Sequence, residues 1–408
     1  MTHTIIGAAA AVLLLLPVCA AAQEDPSGTP QTVQDILAFL VTNQGVPTSD
    51  FDRDREAAEA TRDTLTRALL STVATLPVGT SSSGFTYQFN PALGTLERAS
   101  ETFGPFFVER ALTSGAGQAS FGFTFGYASF HSLDGHDLTD GQFITVARQF
   151  RDEAEPFDIE TLTLNVTTQT ATVYGSIGLT DRIDVGVAVP FVRLDVSGTR
   201  NNTYDPTGES AARLGRTLLQ ARATAEALGF ADVAVRTKVR LTPAGSPGAF
   251  AAGVEVRLPT GREEDLLGAG ELALRFQGLA SAETGRTTLH GNVTFGTGGI
   301  GREVSYGGAV AVAATPQFTV VGEVLARRIA GVQRISEVIA PHPRINGVDT
   351  LRLIPNGGDQ TNAFAVTGFK WNVGGTWLLH GHVLWPMTDT GLTAAFTPTV
   401  ALDYSFTR

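Results

Sequence analysis

The chain has 408 residues, of which 43% are apolar and 17% charged, with 45 glycines, 24 phenylalanines and one cysteine. This apolar content excludes a disordered chain, and a net charge of -11 without a basic stripe argues against a nucleic-acid partner. The mean hydropathy of +0.08 is too low for a helical membrane protein. It suits a transmembrane barrel, whose strands are short and alternate in polarity.

Residues 1–22 are predicted to be a signal peptide. Residues 5–22 form an unbroken apolar run, and Ala20 and Ala22 fit the small-residue pattern before a cleavage site. Two alternatives stay open here: an uncleaved membrane anchor, and lipid attachment at Cys19. Cleavage after Ala22 predicts secretion into the Gram-negative envelope and a mature chain without cysteine, which excludes thiol catalysis and zinc–thiolate sites.

Residues 23–79 are predicted to be helical. Thr32 and Asp35 resemble a capping pair at the start of a first helix. A second helix is expected from about residue 52 to 76, and both carry apolar side chains at helical spacing. This segment is expected either in the periplasm or inside the barrel as a plug. Residues 80–117 form a Ser/Gly-rich aromatic linker, for which the pattern predicts no position.

From residue 118 onward the apolar pattern changes to period two. Each alternating stretch is about as long as a tilted strand needs to cross a bilayer. The predicted strands cover residues 118–131, 160–179, 183–196, 230–242, 249–259, 270–281, 287–297, 303–314, 318–329, 361–371, 376–386 and 392–406. We therefore predict an all-β fold, a twelve-stranded antiparallel transmembrane β-barrel over residues 118–408.

The connections between these strands alternate in length. Long ones, such as residues 132–159 and 330–360, fall on one parity, and turns of three to six residues fall on the other. Bacterial outer-membrane barrels show this alternation, with tight periplasmic turns and long extracellular loops. Residues 197–229 carry a helical pattern ending at Gly229, which predicts a loop helix that either gates the mouth or faces solvent.

One face of the last strands is apolar and rich in aromatic residues. Trp377 and Trp385 share this face eight positions apart, which corresponds to roughly 20 Å of height at a 40° tilt. That height is close to the apolar band of outer-membrane barrels. The predicted aromatic girdle comprises Trp377, Trp385, Tyr404 and Phe406.

The opposite face collects polar and charged side chains. Charges that face lipid would cost roughly 2–4 kcal/mol each at the midplane, so this face is expected to point inward. The residues predicted to line a pore are Arg236, Lys238, Arg240, Glu255, Arg257, Glu271, Arg275, Glu323, Arg327, His290, His380 and His382. Their alternative role is mutual salt bridging that seals the barrel. Arg193 breaks the pattern, and either a bulge near Pro190 or a position at the rim would explain it.

Other motifs have simple interpretations. Asp134, Asp137 and Asp140 form a weak candidate for a Ca²⁺ site, since clustered carboxylates bind this ion, but Asp is also an ordinary turn residue. Residues 296–301 match a dinucleotide fingerprint without a following helix, so we interpret them as an extracellular turn. No nucleophile elbow, Walker loop or zinc-protease helix occurs in the sequence, so we predict no enzyme, no cofactor and no metal.

Three stretches, residues 178–190, 229–238 and 383–392, resemble the "MetA-pathway of phenol degradation" family of outer-membrane barrels, which are distant kin of FadL-type channels. The resemblance covers about residues 170–408. It implies the passage of small molecules, aromatic or apolar ones among them, across the outer membrane.

The sequence as a whole predicts a passive outer-membrane channel for small molecules. The expected partners are outer-membrane lipid, a small-molecule solute and, during biogenesis, the barrel-assembly machinery. The alternative function is a sealed structural or adhesive barrel without a conducting pore.

Overall fold

The computed structural model describes most of the chain after the predicted signal peptide, which itself lies outside the described residues. The described residues are 32–42, 51–73, 79, 84–90, 95–205, 217–243, 246, 248–332, 334–342 and 345–407. No helix among these residues is both long enough and apolar enough to cross a membrane.

Two helices precede the sheet, α1 (Val33–Thr42) and α2 (Phe51–Val73), followed by a small hairpin of β1 (Tyr87–Asn90) and β2 (Thr95–Arg98). The predicted capping pair of α1 is confirmed. The Asp35 N–H donates to Thr32 Oγ1 at 3.1 Å, and the Thr32 N–H donates to Asp35 Oδ2 at 3.0 Å. This reciprocal bonding satisfies two amides that a helix start leaves without partners.

The remaining strands build one closed sheet. They are β3 (Gln118–Leu133), β4 (His136–Asp137), β5 (Ile144–Phe150), β6 (Asp158–Thr180), β7 (Ile183–Tyr204), β8 (Thr217–Phe230), β9 (Val233–Arg240), β10 (Gly248–Leu258), β11 (Ala273–Thr284), β12 (Thr287–Gly298), β13 (Arg302–Thr315), β14 (Phe318–Ala330), β15 (Arg334–Pro341), β16 (Val348–Asn356), β17 (Gln360–Gly374), β18 (Trp377–Pro386), β19 (Leu392–Ala394) and β20 (Thr397–Thr407). Twelve of them, β3, β6, β7, β9 to β14, β17, β18 and β20, form the antiparallel wall. The predicted fold class is confirmed.

The barrel closes where its first and last strands pair. The register of β3 and β20 runs from Gln118 opposite Thr407 to Gly126 opposite Thr399. Turns such as residues 181–182 and 316–317 lie at one end, here called the turn end. The long connections lie at the other, here called the loop end. The predicted alternation of connection lengths is therefore present in the fold.

Much of what we predicted as loop is strand. The connections 132–159 and 330–360 contain β4, β5, β15 and β16, which extend the wall at the loop end. The predicted helix within residues 197–229 is wrong, because β7 runs on to Tyr204 and pairs with β8 along the whole of β8. Residues 206–216 lie outside the described part of the chain.

Strand β7 keeps one parity throughout, but its surroundings change along its length. Its outward residues are apolar from Ile183 to Phe191 and polar from Arg193 to Thr203, while inward Leu194 and its neighbours are buried. The register with β6 is continuous through Pro190, so the predicted bulge there is wrong. Arg193 lies just beyond the outer apolar band, where it pairs with Asp195 and Glu226 at 3.2 and 3.1 Å.

The helices fill the loop end from inside. One buried cluster joins the helices to inward-facing apolar residues in the loop-end halves of β6 and β7. The helices contribute Leu37, Leu40, Leu65 and Leu69 to it. A Cβ built on inward-facing Gly198 would lie 2.4 Å from Leu40 Cδ1, so α1 sits against the inner wall. The described parts of the predicted helical segment, α1 and α2, therefore pack against inward-facing residues of the wall.

Candidate functional site

Residues 98–117 run through the barrel interior, almost entirely without regular secondary structure, and we call them the lumen segment. They begin at the turn end, where Arg98 Nη1 donates to the Pro316 carbonyl at 3.3 Å. They return to the same end, where the Gly117 N–H donates to the Gly178 carbonyl at 2.9 Å. Between these points the segment rises into the interior and crosses it.

A buried carboxylate on the wall holds the top of the lumen segment. Glu323 on β14 accepts hydrogen bonds from three successive backbone amides, those of Phe106, Phe107 and Val108. The second and third measure 3.0 and 2.9 Å. Only 3% of Glu323 is exposed. Because Phe106, Phe107 and Val108 belong to no helix or strand, their amides have no regular backbone partner, and these charge-assisted bonds attach the segment to the wall.

Other strands hold the descending half of the lumen segment. Lys238 Nζ donates to Glu109 Oε1 at 2.9 Å and to the Arg110 carbonyl at 3.1 Å. Further along, the Ser114 N–H donates to Asp184 Oδ2 at 2.8 Å. These contacts come from β9 and β7, on the side of the wall that also carries the predicted pore residues.

Aromatic packing completes the attachment. The Phe106 ring lies 4.4 Å from the His382 ring and 5.1 Å from Lys370 Nζ, centroid distances in both cases. Lys370 also donates to the Pro105 carbonyl at 2.7 Å. Below this contact, His380 Nε2 lies 3.4 Å from Asp403 Oδ2. The predicted pair His380 and His382 thus lies beneath the lumen segment and does not face an open passage.

A charged cavity lies beside the lumen segment. It has a volume of about 140 Å³ and is bordered by Glu109 of the lumen segment and by side chains of β9 to β14 and β17. Glu255 is one of its lining residues and is 2% exposed. Glu255 accepts from Arg236 Nε at 2.5 Å, from Arg257 Nε at 2.8 Å and from Arg275 Nη1 at 2.8 Å. Packing three guanidinium groups around one carboxylate is stable only because each donates a hydrogen bond.

Two further cavities lie between this one and the loop end. A narrow one of about 30 Å³ shares Arg257, Arg275 and Glu303 with the charged cavity. A wide one of about 500 Å³ lies beneath α2 and shares Ala269, Gly299 and Ile300 with the narrow one. The three cavities therefore follow one another along β10 to β14, separated by the side chains that they share, and the lumen segment borders the charged cavity.

The structure brings most of the predicted pore residues to the interior. Their positions fall into three groups: the border of the charged cavity, the surroundings of the lumen segment, and the turn end. Arg236, Glu255, Arg257, Arg275 and Arg327 border the charged cavity; Lys238, Glu323, His290, His380 and His382 lie under or beside the lumen segment; Arg240 is buried near the turn end. Glu271 does not belong with them: it is exposed in the connection before β11 and borders the wide cavity.

The predicted girdle residues all point outward. Trp377 and Tyr404 are in ring contact at 4.6 Å near the turn end, with Phe406 stacked on Tyr404 at 5.8 Å. Trp385 lies toward the loop end and packs on Phe396 at 5.8 Å. Their role at membrane interfaces remains a prediction.

In the first long connection, the three carboxylates of the weak calcium candidate accept hydrogen bonds from backbone amides. Asp134 accepts from the Ile335 and Gly391 N–H groups, both at 2.7 Å. Asp137 accepts from Thr139, and these hydrogen bonds hold the pKa of Asp137 below its usual value. No cluster of three metal-binding side chains is present among the described residues.

Our sequence prediction missed several charged residues of the site, among them Glu109, Asp184, Glu303, Lys370 and Asp403. Glu303, Lys370 and Asp403 lie on the inward parity of predicted strands, so the period-two pattern contained the signal. Glu109 lies in the lumen segment, where no periodicity marks it.

No protein-family model matches the chain. No curated protein matches it either.

Solved outer-membrane proteins are structurally similar at low sequence identity. The COG4313 outer membrane channel from Pseudomonas putida F1 matches with a TM-score of 0.45 and 12% identity, over 72% of this chain and 98% of that one. A Pseudomonas aeruginosa FadL homologue matches with a TM-score of 0.32 and 10% identity, over 71% and 90%. The translocator domain of the autotransporter NalP from Neisseria meningitidis matches with 0.32 and 8%, over 72% and 89%.

Proposed function

We propose that this protein is a channel of the bacterial outer membrane that admits small molecules from the loop end. In this proposal the loop end is extracellular and the turn end periplasmic, in keeping with the lengths of the connections. The wall residues that would face lipid are large, apolar and exposed. They include Phe121, Phe125, Val235, Phe250, Phe276, Leu289, Val320, Phe369 and Val400.

The observation that carries the proposal is the opposite character of the two faces of one closed wall. On β10, outward Phe250 and Val254 are exposed, while inward Glu255 and Arg257 are buried. A water-soluble barrel would bury its apolar face and expose its charges. Because the reverse arrangement is stable only in lipid, it supports a membrane-spanning barrel with a polar interior.

The lumen segment then acts as the gate. In the present structure it crosses the interior between the charged cavity and the turn end, so a solute can pass only after the segment moves. The lumen segment is held by individual hydrogen bonds from several strands and is not part of a continuous sheet. This supports the proposal that the segment can detach from the wall as a unit.

A disulfide lock tests this gate. A Cβ built on Gly307 lies 3.0 Å from Val108 Cγ2, so Val108→Cys and Gly307→Cys fall within reach of a disulfide. In a chain whose natural cysteine is replaced, we expect the oxidised double variant to lose conductance in planar bilayers and to regain it with reductant. The two single variants are the matched controls.

Conductance that survives the lock would place the passage elsewhere and refute the gate. No conductance in any variant, with or without reductant, would instead favour the alternative function of a sealed structural or adhesive barrel. The three arginines bound to Glu255 are the observation that supports this alternative, since such a network stiffens a closed wall.

That the solute is aromatic or apolar rests on the family resemblance alone. The absence of enzymatic activity, the outer-membrane lipid contact and the need for the barrel-assembly machinery likewise remain predictions.

A further inference from the structure

The charged cavity carries more positive than negative groups. Four arginines border it, Arg236, Arg257, Arg275 and Arg327, against the three carboxylates of Glu109, Glu255 and Glu303. One of these carboxylates, that of Glu109, is bound by Lys238 from outside the cavity at 2.9 Å. The electrostatic field in the cavity therefore favours an anion.

Arg257 has hydrogen-bond donors left for such an anion. It is 9% exposed and donates through Nε to Glu255 Oε1 at 2.8 Å. Its two terminal nitrogens make no hydrogen bond within the described part of the chain, and neither is enclosed without solvent contact. A guanidinium group presents paired donors that match the two oxygens of a carboxylate.

Part of the cavity lining is apolar. Phe107 of the lumen segment, Leu325 of β14 and Phe364 of β17 border it and are each partly exposed. Leu325 and Phe364 lie on the inward parity of their strands, so their exposed surface faces the lumen. A ligand that matches both the arginines and the apolar part of the lining has a charged end and an apolar body.

The size of the cavity limits this body. Its volume of about 140 Å³ is close to that of an engineered apolar cavity of about 150 Å³ that holds one benzene molecule. A single six-membered ring, or a chain of similar volume, would fill it.

We infer that the charged cavity binds a small monocarboxylate, with the carboxylate on Arg257 and the apolar body on Phe107, Leu325 and Phe364. This rests on the proposed function, which it deepens by naming a solute class. The lumen segment forms part of the site through Phe107 and Glu109, so the solute contacts the gate directly.

Calorimetry on the full-length protein in detergent tests the inference with cyclohexanecarboxylate as the probe. We expect the natural protein to bind the probe saturably. Arg257→Gln and Phe364→Ala should each bind it at least about tenfold more weakly, because each removes one of the two recognition elements. Arg193→Gln, which alters an outer-surface arginine with two carboxylate partners, is the matched control and should bind like the natural protein. Each variant is first checked for folding by its β-type circular dichroism.

Two comparison ligands sharpen the result. Cyclohexylmethanol keeps the ring without the charge, and acetate keeps the charge without the ring, so both should bind at least about tenfold more weakly than the probe. Equal binding of cyclohexylmethanol, or an unchanged affinity in Arg257→Gln, would overturn the inference. If Arg257→Gln fails to fold, Arg257→Lys and Phe364→Ala decide it, because both must weaken binding.

The binding measurement is independent of the conductance measurement. A protein that conducts but does not bind the probe would refute the monocarboxylate site and leave the channel in place. A protein that binds the probe but never conducts would refute the channel and leave the site in place.

Discussion

Replacing Glu323 by alanine should release the gate. Its carboxylate accepts hydrogen bonds from three backbone amides of the lumen segment, and in the variant those amides lose their acceptor. Hydrogen bonds to a buried charged group contribute about 1.5 kcal/mol each at the lower end of their range. Three of them sum to about 4.5 kcal/mol, so the ratio of released to docked segment should rise by about a thousandfold.

Two measurements check this expectation. In planar bilayers, the open probability of Glu323→Ala should rise steeply, and in hydrogen exchange, the amides of Phe106, Phe107 and Val108 should lose protection. Glu226→Ala is a suitable control, because Glu226 is an outer-surface carboxylate that pairs with Arg193 at 3.1 Å. Full protection of these amides together with an unchanged open probability would show that Glu323 does not hold the segment.

Three further predictions concern the wall and its contents. Val320→Arg, on the outer apolar band, should lower the free energy of unfolding in lipid vesicles by roughly 2–4 kcal/mol. Thr199→Arg, beyond that band on β7, should change it by less than about 0.5 kcal/mol. Equal effects of the two variants in a urea titration would argue against the proposed position of the membrane. Leu40→Ala removes a fully buried side chain of α1 and should weaken the docking of this helix by about 2–5 kcal/mol, seen as faster hydrogen exchange in α1 alone. Asp134→Ala removes two 2.7 Å hydrogen bonds between connections at the loop end and should lower the free energy of unfolding by about 3 kcal/mol, and neither Ca²⁺ nor a chelator should change the stability of the natural protein.

The strand pattern could be predicted because lipid and lumen impose opposite demands on alternate residues. The same rule failed on β7, where Arg193 lies outward and Leu194 is buried inward. Here the parity is unchanged, but the outside is polar and the inside is filled by α1. A period-two pattern gives the two faces of a strand and not the medium on either side.

The lumen segment could not be predicted in the same way. It has no regular periodicity, and its bonds reach far along the chain, as between Phe107 and Glu323, which are 216 positions apart. The charged partners on the wall were identified as inward-facing, but nothing local to Glu323 or Lys238 shows that each binds a backbone group of the N-terminal region. Long-range pairing of this kind depends on the closed fold.

The path of the N-terminal region constrains how the barrel assembles. The helices lie inside one mouth, the lumen segment contacts strands from β7 to β17, and β3 pairs with β20 only when the final strand has arrived. The N-terminal region must therefore enter the interior at about the same stage of assembly at which β3 pairs with β20. If the barrel closed first, the two helices would have to enter it through one of its ends. Closure of the wall around helices and a lumen segment that are already in place avoids this step.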